Sequence, residues 1–189
     1  PQGGDIMKNI NVGLIGFGTV GRGVVKALIT KKRLIESRTG VSVNLVKIAD
    51  KDIRPRKNLK VPKKLLTKNI DSVIRDKNVD IVVELIGGIH PAKEIILKSI
   101  ALSKHVVTAN KALLSRDGKE IFEAASKKNA LLGFSAAVGG GIPIINALKN
   151  SFVANEIELI YGILNGTSNF ILSKMSEENS SFSEALDDA

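Results

Sequence analysis

The feature that most limits this chain is the run Gly16-Phe17-Gly18-Thr19-Val20-Gly21. It follows an apolar, β-prone stretch, Ile10 to Ile15, and opens a helical pattern with Val20, Val24, Ala27 and Leu28 on one side. Each glycine has a physical task. The first permits a tight turn out of the strand, the second lets backbone approach a pyrophosphate, and the third lets the helix pack close to the sheet. The helix N-terminus then offers unpaired N–H groups to an anion. A lone GxGxxG is only a glycine-rich turn. Here a second strand-like run, residues 41–49, follows and closes on the acid Asp50, which makes a dinucleotide-binding βαβ unit. Asp50 lies 29 residues after Gly21 rather than the usual ~20. The surplus is a polar extension over residues 31–40 that leaves the strand end in place, where Asp50 would accept a hydrogen bond from the adenosine ribose.

Strand and helix signals continue to alternate. The pattern predicts strands at 65–67, 81–86, 105–108 and 130–134, and helices at 70–76, 92–103 and 117–128, with Pro91 at the first helical position. Strand 81–86 is apolar almost throughout, as in a strand covered on both faces. This is a Rossmann-type, doubly wound, mainly parallel α/β sheet. Beyond Phe134 the character changes to a small, glycine-rich turn, a helix at 144–150, a strand at 156–164, and a helix at 169–175 after a turn at 165–168. Ser181 and Glu184 form a capping box that opens a last helix. The chain ends inside that helix, so the expectation is a piece of a longer protein. Its organisation then reads as a remnant (1–7), a dinucleotide-binding domain (8–135), and the start of an α+β catalytic and dimerisation domain (136–189).

The absence of Cys excludes disulfides, thiolate metal sites and thiol nucleophiles, including an aldehyde dehydrogenase working through a thiohemiacetal. Two His are too few for a histidine-rich metal site. No apolar run reaches the ~18 residues of a membrane span, and residues 1–7 lack the features of a signal peptide. The default location is the cytoplasm. The net charge of +9 is concentrated, because residues 47–68 carry nine basic side chains and two acids. That block holds no aromatic residue for base stacking and no nucleic-acid motif, so it argues for a local field beside the expected ribose rather than for nucleic acid. From these residues alone, a non-catalytic dinucleotide-binding module remains the alternative to an enzyme.

Five segments in order, the glycine loop, Glu84 to Gly88, Val106 to Leu114 (VVTANKALL), Ala136 to Ile145 (AAVGGGIPII) and Gly162 to Leu172 (GILNGTSNFIL), resemble homoserine dehydrogenase over nearly the whole chain. The resemblance implies NAD- or NADP-dependent interconversion of L-homoserine and L-aspartate 4-semialdehyde, on the route to threonine, isoleucine and methionine. It also implies a homodimer in the full-length protein. The family's catalytic Asp and Lys lie in a downstream segment and match no position here, so the chain is expected to bind cofactor and turn over poorly. Cofactor contacts would come from Gly16, Phe17, Gly18, Thr19, Val20, Gly21, Asp50, Lys51, Gly87, Gly88, Ala109, Asn110 and Lys111, with Thr19 reaching a phosphate oxygen. Lys111, past the end of a strand, would also position substrate and stabilise a developing alkoxide. Gly166 and Thr167 match positions near the substrate, although helix capping could also explain Thr167. Ser135, Val138, Gly140 and Ile142 match main-chain ligands of a monovalent cation, Na+ or K+, with Ser135 replacing the usual Glu. Many relatives carry Arg before the strand-end acid, and here that position is Ala49. Ala49 and Asp50 favour NAD, whereas Lys51, Arg54, Arg56 and Lys57 could neutralise the extra phosphate of NADP, so both are expected to bind.

Overall fold

The computed structural model describes residues 8–53, 59–163 and 165–189. The chain falls into two compact units, Pro1–Phe134 and Ser135–Ala189.

The first unit is built on six strands: β1 (Lys8–Ile15), β2 (Val41–Ala49), β3 (Leu66–Thr67), β4 (Ile81–Glu84), β5 (His105–Thr108) and β6 (Leu132–Gly133). They form one sheet in the order β3-β2-β1-β4-β5-β6, and every pairing is parallel. The order reverses beside β1, which places a crevice at the carboxyl ends of β1 and β4. The helices are α1 (Thr19–Thr30), α2 (Lys32–Thr39), α3 (Ile70–Ile74), α4 (Ala92–Ala101) and α5 (Lys111–Lys127).

Strand alternation divides the core. Val12 and Leu14 of β1 join Phe17, Val25, Ile48 and Val83 in one cluster, while Ile15 joins Ala49, Val73, Ile74, Val82 and Ile95 in another. The cluster with Val25 lies under α1, and the other lies under α3 and α4. A third cluster packs Val106 of β5 with Ile96 and Ile100 of α4 and Leu113 and Ile121 of α5. Leu14, Ile15, Ile48 and Val82 are wholly buried, and each such side chain stabilises the fold by roughly 1.5–3 kcal/mol. On α1, Gly21 and Val25 are the buried residues, whereas Val20 is 56% exposed, so the inward face is turned from the Val20/Ala27 side expected from the pattern.

Other boundaries also differ from the sequence reading: β4 ends at Glu84 rather than at residue 86, and β6 is only Leu132–Gly133. The extension at 31–40 is a helix of its own, α2, closed by Gly40 in the left-handed conformation. Pro91 occupies the N-cap of α4 rather than its first turn. Helix α5 starts at Lys111, six residues earlier than expected, because the Asn110 side chain accepts the Leu113 N–H at 3.1 Å and Leu113 is fully buried. A local cap with one deep apolar anchor outweighs the weak amphipathicity of residues 111–116.

The second unit holds a 3-10 turn (Ser135–Ala137), the short helix α6 (Ile144–Asn146) running into a π turn (Ala147–Ser151), and helices α7 (Gly166–Glu177) and α8 (Phe182–Asp187). The Ser181–Glu184 capping box forms as expected. The strand expected at 156–164 does not. Residues 156–163 take no regular secondary structure and pair with no strand among the described residues, and Leu159, Ile160, Tyr161 and Ile163 are 51–89% exposed. Residues 156–161 border a shallow depression of about 660 Å³. Apolar, β-prone sequence makes a strand only when another backbone satisfies its N–H and C=O groups.

Candidate functional site

All the site residues expected in the first unit lie at the carboxyl edge of its sheet: Gly16 after β1, Asp50 and Lys51 after β2, Gly87 and Gly88 after β4, and Ala109 to Lys111 after β5. The glycine loop is held from both sides. Gly16 has φ +103, and its N–H donates to Ala49 O at 2.9 Å. A Cβ at Gly16 would meet the Leu85 carbonyl carbon at 2.5 Å, and one at Gly21 would meet Gly16 O at 2.0 Å. A Cβ at Gly18 would meet nothing within 4 Å. The first and third glycines are therefore required by the chain itself. The second leaves open the space in front of α1, as close approach by a ligand requires.

Helix α1 makes its first bond from Arg22 N–H to Gly18 O at 3.0 Å. The N–H groups of Thr19, Val20 and Gly21 precede it and lack intrahelical partners. No side chain caps this end and no acid sits in its first turn. An anion placed there gains both the donors and the helix dipole. Phe17 plays a different part from the one expected. Its ring is buried in the core and its N–H donates to the Asp50 carboxylate, so neither is available to a ligand. The other Asp50 oxygen accepts the Asp52 N–H at 2.7 Å. Asp50 thus ties the loop to the end of β2, a role that its strand-end position did not reveal. A cleft of about 270 Å³ opens between Gly16, Gly18, Asp50 and Lys51 on one side and Leu85 and Ile86 on the other.

The basic block divides. Lys47 belongs to the fold, since its ammonium lies 2.6 Å from Asp76 and 3.1 Å from Ser72 O. Lys51 lines the cleft. Arg54, Arg56 and Lys57 lie outside the described residues, as do residues 1–7.

At the ends of β4 and β5 sits a residue that sequence reasoning missed. Glu84 is completely buried. Its Oε1 accepts the Ile86 N–H at 2.7 Å and the Gly87 N–H at 3.4 Å, and its Oε2 accepts the Thr108 hydroxyl at 2.7 Å. Thr108 Oγ1 accepts the Asn110 N–H at 3.0 Å, and Asn110 Nδ2 donates to Gly88 O at 2.5 Å. One network therefore fixes the Gly87-Gly88 turn (φ +80 and +69) against the start of α5. An acid inside an apolar strand was the available signal. Lys111, exposed at the first position of α5, follows directly from this network. A cation is disfavoured at a helix N-terminus, and its ammonium has no partner among the described residues. Behind it, the Arg116 guanidinium and then the Lys93 ammonium hold the Asp117 carboxyl below the usual carboxylate range.

In the second unit, Gly139 and Gly140 have φ +71 and +59. Of the four carbonyls matched to cation ligands, Ser135 O accepts the Val138 N–H at 3.2 Å and Ile142 O the Ile144 N–H at 2.8 Å. Those of Val138 and Gly140 accept no backbone N–H among the described residues outside helices and strands. Gly166 and Thr167 are the first two residues of α7. Asn165 does the capping, accepting the Ser168 N–H at 3.1 Å, so capping does not account for Thr167. No helix among the described residues is long and apolar enough to cross a membrane.

Residues 16–134 match the family described as "Homoserine dehydrogenase, NAD binding domain", and residues 143–189 match "Homoserine dehydrogenase". A homoserine dehydrogenase of Neisseria gonorrhoeae is 45% identical over 183 residues, which are 97% of this chain and 42% of that protein. One from Synechocystis is 44% identical over 177 residues, 94% of this chain and 40% of that protein. The crystal structure of a homoserine dehydrogenase from Thiobacillus denitrificans is similar at a TM-score of 0.83 and 47% identity, covering 97% of this chain and 42% of that one. The chain thus spans about two-fifths of the length of these relatives.

Proposed function

Since this chain belongs to the homoserine dehydrogenase family, we propose that it forms the cofactor-binding part of an NAD(P)-dependent oxidoreductase that interconverts L-homoserine and L-aspartate 4-semialdehyde. The observation that supports it most is the open space at Gly18 in front of an uncapped helix, with Lys111 across the same sheet edge. The residues present fit a dinucleotide. Thr19, Val20 and Gly21 would bind its pyrophosphate through backbone N–H groups. Lys51 and the Asp50 turn would lie beside the adenosine ribose, and Gly87, Gly88 and Ala109 would give the nicotinamide half close backbone access. When bound, the nicotinamide accepts or returns the hydride. Lys111 would hold the substrate oxygen and stabilise the negative charge that grows there, an electrostatic role that needs no proton transfer. Asn110 positions Lys111 by capping its helix.

Gly166 and Thr167 would contribute to the substrate side, and a monovalent cation would bind the main chain of Ser135, Val138, Gly140 and Ile142. The exposed apolar segment 156–163 is the part of the chain best suited to a homodimer contact. The enzyme would work in the cytoplasm on small diffusible substrates.

Titration of NADPH fluorescence tests the cofactor reading. The wild-type chain should bind, and Gly18→Asp, which places a carboxylate against the pyrophosphate, should abolish binding. Equal affinity in the two proteins would refute the loop assignment.

A further inference from the structure

We propose that Arg22, acting with Lys51, binds the 2′-phosphate of NADP and makes this protein prefer NADP to NAD. The proposal rests on the cofactor reading above and adds a specificity-determining residue to it.

Arg22 is the fourth residue of α1. Its Nε donates to Gly18 O at 3.1 Å, and one terminal nitrogen stands 3.5 Å from Thr19 Oγ1. These contacts fold the guanidinium back onto the phosphate loop. They engage two of its five N–H donors and leave the rest available. Arg22 has no ion-pair partner among the described residues, and neither has Lys51.

The direction of the side chain follows from helix geometry. Ile29 lies seven residues after Arg22, almost two turns, so the two share a face. Ile29 and Leu28 line a groove with Val43 and Leu45 of β2 and with Leu65 before β3. The Arg22 face of α1 therefore looks toward β2 rather than β4. At the N-terminal end of the helix, that is the side on which Asp50 and Lys51 leave the sheet.

The remaining question is what this corner accepts. A free ribose 2′-hydroxyl is best met by an uncommitted carboxylate. Asp50 is partly committed, since one oxygen accepts the Phe17 N–H and the other the Asp52 N–H, which holds the carboxylate against the loop. Ala49, fully buried beside it, adds no polar group. Beside it, the Arg22 guanidinium lies on the phosphate loop and Lys51 lines the cleft, neither with a carboxylate partner among the described residues. A phosphate matches that pair: Arg can grip two of its oxygens at once and Lys adds a point charge.

Equilibrium titration of NADPH and NADH, with adenosine 2′,5′-bisphosphate and AMP as competitors, separates the outcomes without relying on turnover. The wild-type protein should bind NADPH and the bisphosphate at least roughly tenfold tighter than NADH and AMP. In Arg22→Gln, NADPH affinity should fall by about tenfold to a hundredfold while NADH affinity changes by less than about twofold. Arg22→Lys should recover part of the loss, and Lys51→Ala should produce a smaller loss of the same kind. NADH binding also reports that each variant is folded. A wild type that binds NADH as well as NADPH, or an Arg22→Gln that keeps the NADPH advantage or weakens both nucleotides equally, would overturn the assignment. A wild type that binds neither nucleotide would instead remove the cofactor reading, and this proposal with it.

Discussion

The three loop glycines should separate into two kinds when each is replaced by alanine. At Gly21 the new methyl would stand 2.0 Å from Gly16 O. Gly16 cannot retreat, because its N–H is bonded to Ala49 O and its far side already touches the Leu85 carbonyl. The start of α1 must then move away from the sheet. Overpacking of this kind costs about 1–3 kcal/mol, and the better helix propensity of alanine offsets about 0.8–1 kcal/mol of it. A net loss of up to roughly 2 kcal/mol corresponds to a Tm lower by up to about 8 °C for a chain of this size. At Gly18 the backbone has φ −73 and the methyl meets nothing within 4 Å. The stiffer unfolded chain and the poorer N-cap nearly cancel, leaving stability within about 0.5 kcal/mol of the wild type. The same methyl would occupy the path of the pyrophosphate, so NADPH affinity should drop by about tenfold or more, at least 1.4 kcal/mol. Thermal unfolding with and without NADPH reads both quantities. Gly21→Ala should unfold earlier without cofactor, whereas Gly18→Ala should unfold normally without cofactor and lose the cofactor-induced rise. Equal destabilisation by the two changes, or a Gly18→Ala protein still fully stabilised by NADPH, would refute this division of labour.

Glu84→Ala would strand the buried Thr108 hydroxyl and remove the acceptor of two part-buried N–H groups, and urea unfolding should show a loss of about 1–3 kcal/mol. Asn110→Ala removes both the α5 cap and the bond to Gly88 O. It should cost about 1–2 kcal/mol and weaken cofactor binding as well, which calorimetric titration would detect. The Lys47 ammonium, and then the Asn78 N–H, hold the Asp76 carboxyl below its ordinary value. A depressed carboxyl stabilises the fold above the unfolded aspartate pKa, about 3.9, and that contribution is lost as pH falls through the folded value. Denaturation midpoints measured from pH 6 down to ~2 should therefore fall less steeply in Asp76→Asn than in the wild type; parallel curves would show that the pair is not coupled to folding.

The sequence by itself determined the alternation of strands and helices, the parallel sheet and the place of the phosphate loop. Those features rest on local rules: apolar periods of 2 and 3.6, and glycines whose backbone no other residue could follow. Lys111 was legible as a candidate because a strand end is also a local feature. Tertiary structure alone decided which partners the polar groups of the site take. Asp50 meets Phe17 across 33 residues, and Glu84 meets Thr108 across 24, and nothing in the linear order favours those partners over others. Tertiary structure also decided that Arg22 faces β2, since the helical pattern fixes spacing but not the azimuth at which α1 settles on the sheet. Residues 156–163 mark the same boundary. Their composition is that of a strand, yet a strand exists only where a second backbone pairs with it, and pairing is a property of the assembled fold.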